Sequence, residues 1–338
     1  MTGTGIRAPH PDRQEPRLSV GVISAGAVGT AVAETLLQAG HHIHGVVAPS
    51  QVSRDRVAQR LPGVDVTDVG DASRAALVVL AVPDTVLPGV VRQVAEVTRP
   101  GQIVVHTSGA SGCGVLQPVT DTGALPLALH PAMTFTGNAE DAANLVGCAW
   151  GVTSDSDTGA AVAELLVNSC GGVAVPVAEE NRPLYHAAMA HGANHLVTLV
   201  SESLRMLDHA LASPDTEGVP GDGGAGAVGT DRPGRAGRVP VDPDSAVLLR
   251  RILPTALSNA LDRRTAALTG PVARDDAETV LRHLRALDDI GTPEPVDGPG
   301  SLDGAGGLSG AYREAAQRTA RALGSLNVER ALDGDYPY

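Results

Sequence analysis

From Leu18 to about Pro176 the chain alternates short apolar runs with stretches whose apolar positions fall at helical spacing. The runs are LSVGVI, HIHGVVA, AALVVLAVP, GQIVVHT, ALPLALHP and CAWGVT, and a shorter GGVAVPV closes the series. Continuous rather than alternating hydrophobicity is the signature of a parallel sheet covered on both faces, because both sides of every strand are then buried. Helical patterns such as AVGTAVAETLLQAG and DTGAAVAELLVNSCG lie between the runs. The expected fold class is α/β: a doubly wound sheet over residues 17–177, preceded by a disordered tail at 1–16.

Beyond residue 180 only helical spacing remains. ENRPLYHAAMAHGANHLVTLVSESLRMLDHAL keeps that spacing for about thirty residues, which suits the spine of a second domain. Residues 213–244 are so rich in Gly, Pro and Asp that their composition predicts a disordered insertion. Helical patterns resume in SAVLLRRILPTALSNALDRRTAAL, DDAETVLRHLRALDD and AYREAAQRTARALG, so an all-helical domain is expected over 178–330.

Composition narrows the picture. At 338 residues and 43% apolar content the chain can bury two cores. No apolar run reaches the length of a membrane span, and MTGTGIRAPHPDRQEP holds no signal-like hydrophobic segment, so a cytoplasmic protein is expected. The net charge of −13 and the lack of a basic run argue against a nucleic-acid partner. Cys113, Cys148 and Cys170 form no C-x-x-C pair, so neither a disulfide framework nor a zinc site is expected from them. There is no lysine: all 25 basic residues are arginine. Schiff-base catalysis and a lysine general acid are thereby excluded.

The first candidate for chemistry is VGVISAGAVGTAVAETLLQAG, Val20–Gly40, which reads as strand, tight turn and helix. The dinucleotide fingerprint G-x-G-x-x-G is present with Ser24 in place of its first glycine and with Gly26 and Gly29 in the other two positions. Gly26 would let the pyrophosphate approach the backbone and Gly29 would let helix pack on strand, so Ser24, Gly26, Ala27, Val28 and Gly29 are expected to bind a dinucleotide. The first domain thus reads as Rossmann-like. At the end of the second strand Ala48 and Pro49 stand where an acidic residue would select NAD, followed by Ser50, Ser53 and Arg54. Hydroxyls and a guanidinium suit a 2'-phosphate, so NADP is favoured over NAD, with Ser50 and Arg54 as its contacts.

Ligands in open α/β sheets bind beyond the carboxyl ends of the strands. Val82 and Pro83 close the third run and are placed against the cofactor; His106, Ser108 and Gly109 stand at the end of the fourth, and His130 and Pro131 close the fifth. On the long helix, LYHAAMAHGANHL carries His186, His191, Asn194 and His195. His191 and His195 are spaced to share a metal, yet no third ligand is evident, so no metal is expected. In ALTGPVARDDAETVLRHL, Asp275 or Asp276 can cap a helix, and Arg274 is a candidate for a substrate carboxylate.

Together HTSGA, LHPAMTF, RPLYHAAMAHGANHL and ALTGPVAR resemble predicted oxidoreductases in which a Rossmann-like domain precedes the domain of unknown function 2520. The resemblance runs from about Leu18 to Leu323, and more distantly the chain is similar to the superfamily of 6-phosphogluconate dehydrogenase and ketopantoate reductase. It implies a helical domain that supplies catalytic residues and a homodimer through that domain. The lysine those relatives use is absent; Asn194 matches their asparagine, and Asp275 stands where glycine is expected after the arginine.

The expected function is hydride transfer between NADP and a small carbonyl or hydroxy-acid substrate, such as a 2-oxo acid like ketopantoate. A histidine is then the proton donor near neutral pH: His186 or His191, with His106 and His130 as alternatives, Asn194 orienting the substrate oxygen and Arg274, Ser108 and His106 binding substrate. The competing expectation is a non-catalytic NADP-binding sensor or interaction module.

Overall fold

The computed structural model describes residues 17–212, 244–290 and 307–335. The expected tail at 1–16 and all of the expected insertion except Asp244 lie outside the described residues. The chain divides into two compact units, Met1–Ala193 and Asn194–Tyr338.

In the first unit the elements are β1 (Ser19–Ile23), α1 (Ala27–Gln38), β2 (His42–Val47), α2 (Gln51–Arg60), α3 (Val69–Ala72), β3 (Leu77–Leu80) and α4 (Leu87–Ala95), followed by β4 (Ile103–His106), α5 (Gln117–Thr120), β5 (Leu125–Pro131), α6 (Glu140–Asn144), β6 (Ala149–Ser154), α7 (Asp157–Ser169) and β7 (Val173–Pro176). The strands form one seven-stranded sheet in the order β2-β1-β3-β4-β5-β6-β7. Every expected apolar run contains a strand.

The continuous hydrophobicity has the predicted cause. Val20, Val22, Leu77 and Val79 point into one core with α1 residues Val32 and Leu36. Ile23, Val78 and Leu80 point into a second core with Leu87, Val91 and Val94 of α4. Alternate residues of β1 and β3 are thus buried on opposite faces, each fully covered aliphatic side chain contributing about 1.5–3 kcal/mol.

Strand direction differs from the all-parallel expectation at one place. β6 runs antiparallel to β5, with His130 opposite Gly151 and Pro131 opposite Trp150, while β7 returns parallel to β6. A strand buried on both faces shows the same pattern in either direction.

α8 (Arg182–Leu211) crosses from the first unit into the second as one continuous helix. The second unit continues with α9 (Asp244–Arg263), α10 (Ala277–Asp289), α11 (Gly307–Leu323) and α12 (Leu326–Leu332). Val280, Leu284, Ala316, Ala320 and Val328 form its core. Asp276 caps α10 by accepting from Thr279 N at 3.0 Å. Asp275, the departure from the resembled pattern, has φ +57, a left-handed conformation that glycine adopts freely and aspartate tolerates. Its carboxylate accepts from Asn327 N and Nδ2 and from Val328 N, at 3.2, 2.9 and 2.9 Å. Aspartate here keeps the turn and adds a cap for α12.

α8 and α9 are largely uncovered: Arg182 and Ser245 are their only buried residues, and Leu184, Val197, Ile252 and Leu261 are 72, 64, 60 and 78% exposed. Among the described residues no helix is long and apolar enough to cross a membrane.

Candidate functional site

The turn after β1 is shaped by two steric requirements. Ser24 holds φ +88, the conformation the fingerprint's first glycine would supply, so serine occupies a position that ordinarily costs an L-residue about 1–2 kcal/mol. A Cβ on Gly29 would sit 2.0 Å from Ser24 O and 3.0 Å from Ala81 Cβ, so α1 packs this closely on β1 and β3 only with glycine there. A Cβ on Gly26 would meet nothing nearer than Ser24 Oγ at 3.5 Å; that side of the turn is open. Gly26 is the N-cap of α1, no side chain caps the helix, and its first turn has no acidic residue. The N–H groups of Ala27 and Val28 therefore present the positive end of a twelve-residue helix at an uncluttered surface. Ala81 N donates to Ile23 O at 3.0 Å, setting Val82 and Pro83 beside this turn. The two loops flank β1 and β3, where the strand order reverses direction. Arg56 donates to Ala25 O at 2.8 Å, an unexpected cation on the rim of the turn.

At the end of β2, Ser50 is the N-cap of α2 and forms a reciprocal capping box with Ser53. Its hydroxyl is thus already engaged. Arg54 is exposed and lies back under the same turn, donating to Ala48 O at 3.2 Å and Pro49 O at 2.8 Å. Those contacts hold the guanidinium at the strand end without a carboxylate and leave further N–H donors available.

A second cluster forms at the ends of β4, β5 and β6. His106 is 0% exposed. Its Nδ1 accepts from Ser108 N at 3.2 Å, so Nε2 carries the proton and donates to Gly112 O at 2.9 Å. Burial pushes it down from the ordinary 6.5 to about 4. With both nitrogens engaged by backbone groups, His106 shapes the HTSGASG loop. Glu179 fastens the same loop from the other side, accepting from Cys113 N at 2.6 Å and Gly114 N at 3.0 Å.

Arg182, at the start of α8, is completely buried. Its Nε donates to Thr153 Oγ1 at 2.7 Å, Nη1 to Ser108 O at 3.4 Å, and Nη2 to Ala128 O at 2.8 Å and Gly151 O at 3.1 Å. One guanidinium thereby ties β5, β6 and the loop after β4 to the helix. Its acceptors are neutral, so it leaves a fixed positive charge beneath the strand ends.

One turn along α8, Tyr185 and His186 reach the same place. Tyr185 OH lies 2.8 Å from His130 Nδ1, the two rings meeting edge to face at 88°. The His130 and His186 ring centroids are 6.2 Å apart. A Cβ on Gly109 would lie 2.8 Å from His186 Cδ2 and 3.0 Å from His130 Nε2, so that glycine makes room for both rings. Burial first, then Arg182 and His186, lowers His130 from 6.5 to about 4, so it is a neutral imidazole near pH 7.

The structure thus gathers Ser108, Gly109, His130 and His186, and adds Arg182 and Tyr185, which the residue pattern did not single out. His191 and Asn194 lie exposed further along α8, and Arg274 is exposed in the turn before α10.

The chain matches the family model of a Rossmann-like domain over residues 3–131 and that of the domain of unknown function 2520 over residues 148–299. No curated protein matches it. Among solved structures, a Bacteroides fragilis protein named as an NADP oxidoreductase shares 17% identity at a TM-score of 0.65, covering 90% of this chain and 98% of that one. Plasmodium falciparum pyrroline carboxylate reductase, solved with NADP bound, gives 12% identity and a TM-score of 0.51 over 94% and 97% of the two chains. An imine reductase variant from Myxococcus stipitatus, solved with NAD+, gives 15% and 0.54 over 94% and 99%. At these identities the likeness is one of fold. The chain thus carries a Rossmann-like domain followed by the domain of unknown function 2520.

Proposed function

We propose that this protein is an NADP-dependent oxidoreductase that moves a hydride between the nicotinamide and a small carbonyl, imine or hydroxy-acid substrate. The observation that carries this reading is the pairing of an open, uncapped glycine turn at the reversal of strand order with a histidine cluster at the neighbouring strand ends. The names of the structural neighbours, an NADP oxidoreductase, a pyrroline carboxylate reductase and an imine reductase, support it.

In this scheme the N–H groups of Ala27 and Val28, with Gly26 and the Ser24 hydroxyl, hold the pyrophosphate, and Val82 and Pro83 line the cofactor's path. Arg54, beside Ser50, meets the 2'-phosphate and favours NADP over NAD, because Ala48 and Pro49 follow β2 where a carboxylate would select NAD. When bound, NADPH supplies the hydride. His130 and His186 face the reacting group, and Ser108 lies on the loop after β4. A neutral His130 donates an N–H to a substrate oxygen or nitrogen as charge develops there. The exposed apolar faces of α8 and α9 support a homodimer through the helical domain, since uncovered helix surface of this kind marks an interface.

The test is NADPH oxidation across a panel of 2-oxo acids, aldehydes and cyclic imines. At least one class should be reduced, and His130→Asn and His186→Asn should each lower turnover about tenfold or more while NADPH still binds. Binding without turnover on any member would mark a non-catalytic nucleotide sensor.

A further inference from the structure

Resting on that reading, we propose that Tyr185 is a positioning residue that makes His130 a proton donor, its hydroxyl donating to Nδ1 so that Nε2 carries the proton on the side facing the loop after β4.

The direction of the hydrogen bond follows from what surrounds the phenol. Gly151, the cross-strand partner of His130, lies against the phenol. A Cβ on that glycine would sit 2.6 Å from Tyr185 OH, so the phenol fits against β6 only because the residue is glycine. The Arg182 guanidinium lies 5.7 Å from the ring centroid. The guanidinium offers no acceptor, and Gly151 O already accepts from Arg182. The remaining neighbour able to accept the phenolic hydrogen is His130 Nδ1, at 2.8 Å. An imidazole that accepts at Nδ1 and is neutral must hold its hydrogen on Nε2. Of the two ring nitrogens of His130, Nδ1 is the one bound to Tyr185, and Nε2 faces Gly109 on the loop after β4, whose missing side chain leaves room for the ring.

The arrangement allows a balanced proton transfer with no charged histidine. As hydride adds to a carbonyl carbon, the substrate oxygen takes the proton from Nε2: a substrate O–H bond forms and the Nε2–H bond breaks. Nδ1 takes the hydroxyl proton of Tyr185: an Nδ1–H bond forms and the phenol O–H bond breaks. His130 ends as the other neutral tautomer, and the negative charge that arrived with the hydride ends on a phenolate beside Arg182. To reset, Nε2 takes a proton from a solvent water, the Nδ1–H proton returns to the phenolate, and the hydroxide left from the water goes to the solvent. A fixed cation at that point does what a lysine cannot do in a chain that has none.

The test uses full-length protein labelled with 15N-histidine, with neither cofactor nor substrate, the His130 signals being assigned by their loss in His130→Asn. The wild-type protein should show Nε2 protonated and Nδ1 bare, and Tyr185→Phe should move a large share of the population to the Nδ1–H tautomer. A wild-type proton on Nδ1, or a tautomer unmoved by Tyr185→Phe, would overturn the proposal. The wild-type spectrum decides even if the variant folds poorly. Because this readout needs no turnover, it stands or falls separately from the proposed reaction. Where a substrate is in hand, Tyr185→Phe should lower kcat about tenfold with little change in KM; an unchanged kcat would refute the relay.

Discussion

The glycine turn and the histidine cluster lie along one edge of the same sheet and are built by opposite means. The turn is made of backbone: its shape depends on the absence of side chains at Gly26 and Gly29 and on the left-handed conformation of Ser24. The cluster is made of side chains from distant segments, held by one buried guanidinium that meets three strand-end or loop carbonyls and a hydroxyl. Backbone geometry tolerates variation at its least crowded point, as Ser24 illustrates. A side-chain network whose members satisfy one another has no such slack.

That contrast can be broken by substitution, and the largest effect is expected at Arg182. Arg182→Leu should destabilise the first unit by about 3–5 kcal/mol in urea denaturation, because four acceptors lose their donor out of reach of water. Arg182→Lys should recover little, since an ammonium cannot span the same acceptors. A loss below about 1 kcal/mol would show that the guanidinium does not hold the strand ends together.

The pH dependence should follow the cluster. His106 titrates at about 4 in the folded protein against 6.5 ordinarily, so below 6.5 the unfolded chain takes up a proton that the folded one refuses. Its contribution is therefore complete above pH 6.5 and is lost as the pH falls toward 4, on the order of 3 kcal/mol in all. His130 acts in the same direction. Denaturation midpoints measured across that window should fall with pH in the wild type and fall less in His106→Asn; equal slopes would contradict the buried neutral state.

The smallest effect belongs to the turn. Ser24→Gly removes about 1–2 kcal/mol of backbone strain and loses roughly 0.5–1 kcal/mol by loosening the unfolded chain, for a net gain of about 0–1.5 kcal/mol. If the hydroxyl meets a phosphate, NADPH affinity should drop even as melting temperature rises slightly. A variant that gains both stability and affinity would deny Ser24 that task.

The same contrast explains what was legible in the sequence. Both faces of the sheet could be read from uninterrupted apolar runs, and the glycine turn from spacing, because each depends on neighbours a few residues apart. Ser24, where the dinucleotide fingerprint asks for glycine, and Asp275, where the resembled family does, both have positive φ, and each retains the glycine-like backbone. Tyr185 was not legible: in LYHAAMAHG it reads as one more residue of a helical pattern, and its partner lies 55 positions upstream. An arginine opening a helix ordinarily reads as a solvated charge, and the full burial of Arg182 arises from strands that precede it. The reversed direction of β6 leaves no trace in hydrophobicity, yet it sets Gly151 opposite His130 and so makes room for Tyr185.

The central claim is that the turn after β1 and the Arg54 corner after β2 form an NADP site, and titration of NADPH and NADH against the same protein, followed by nucleotide fluorescence, tests it most directly. NADPH should bind about tenfold or more tightly than NADH, and Arg54→Ala should erase most of that preference while leaving NADH affinity nearly unchanged. Failure to bind either nucleotide, or equal affinity for both in the wild type, would contradict it.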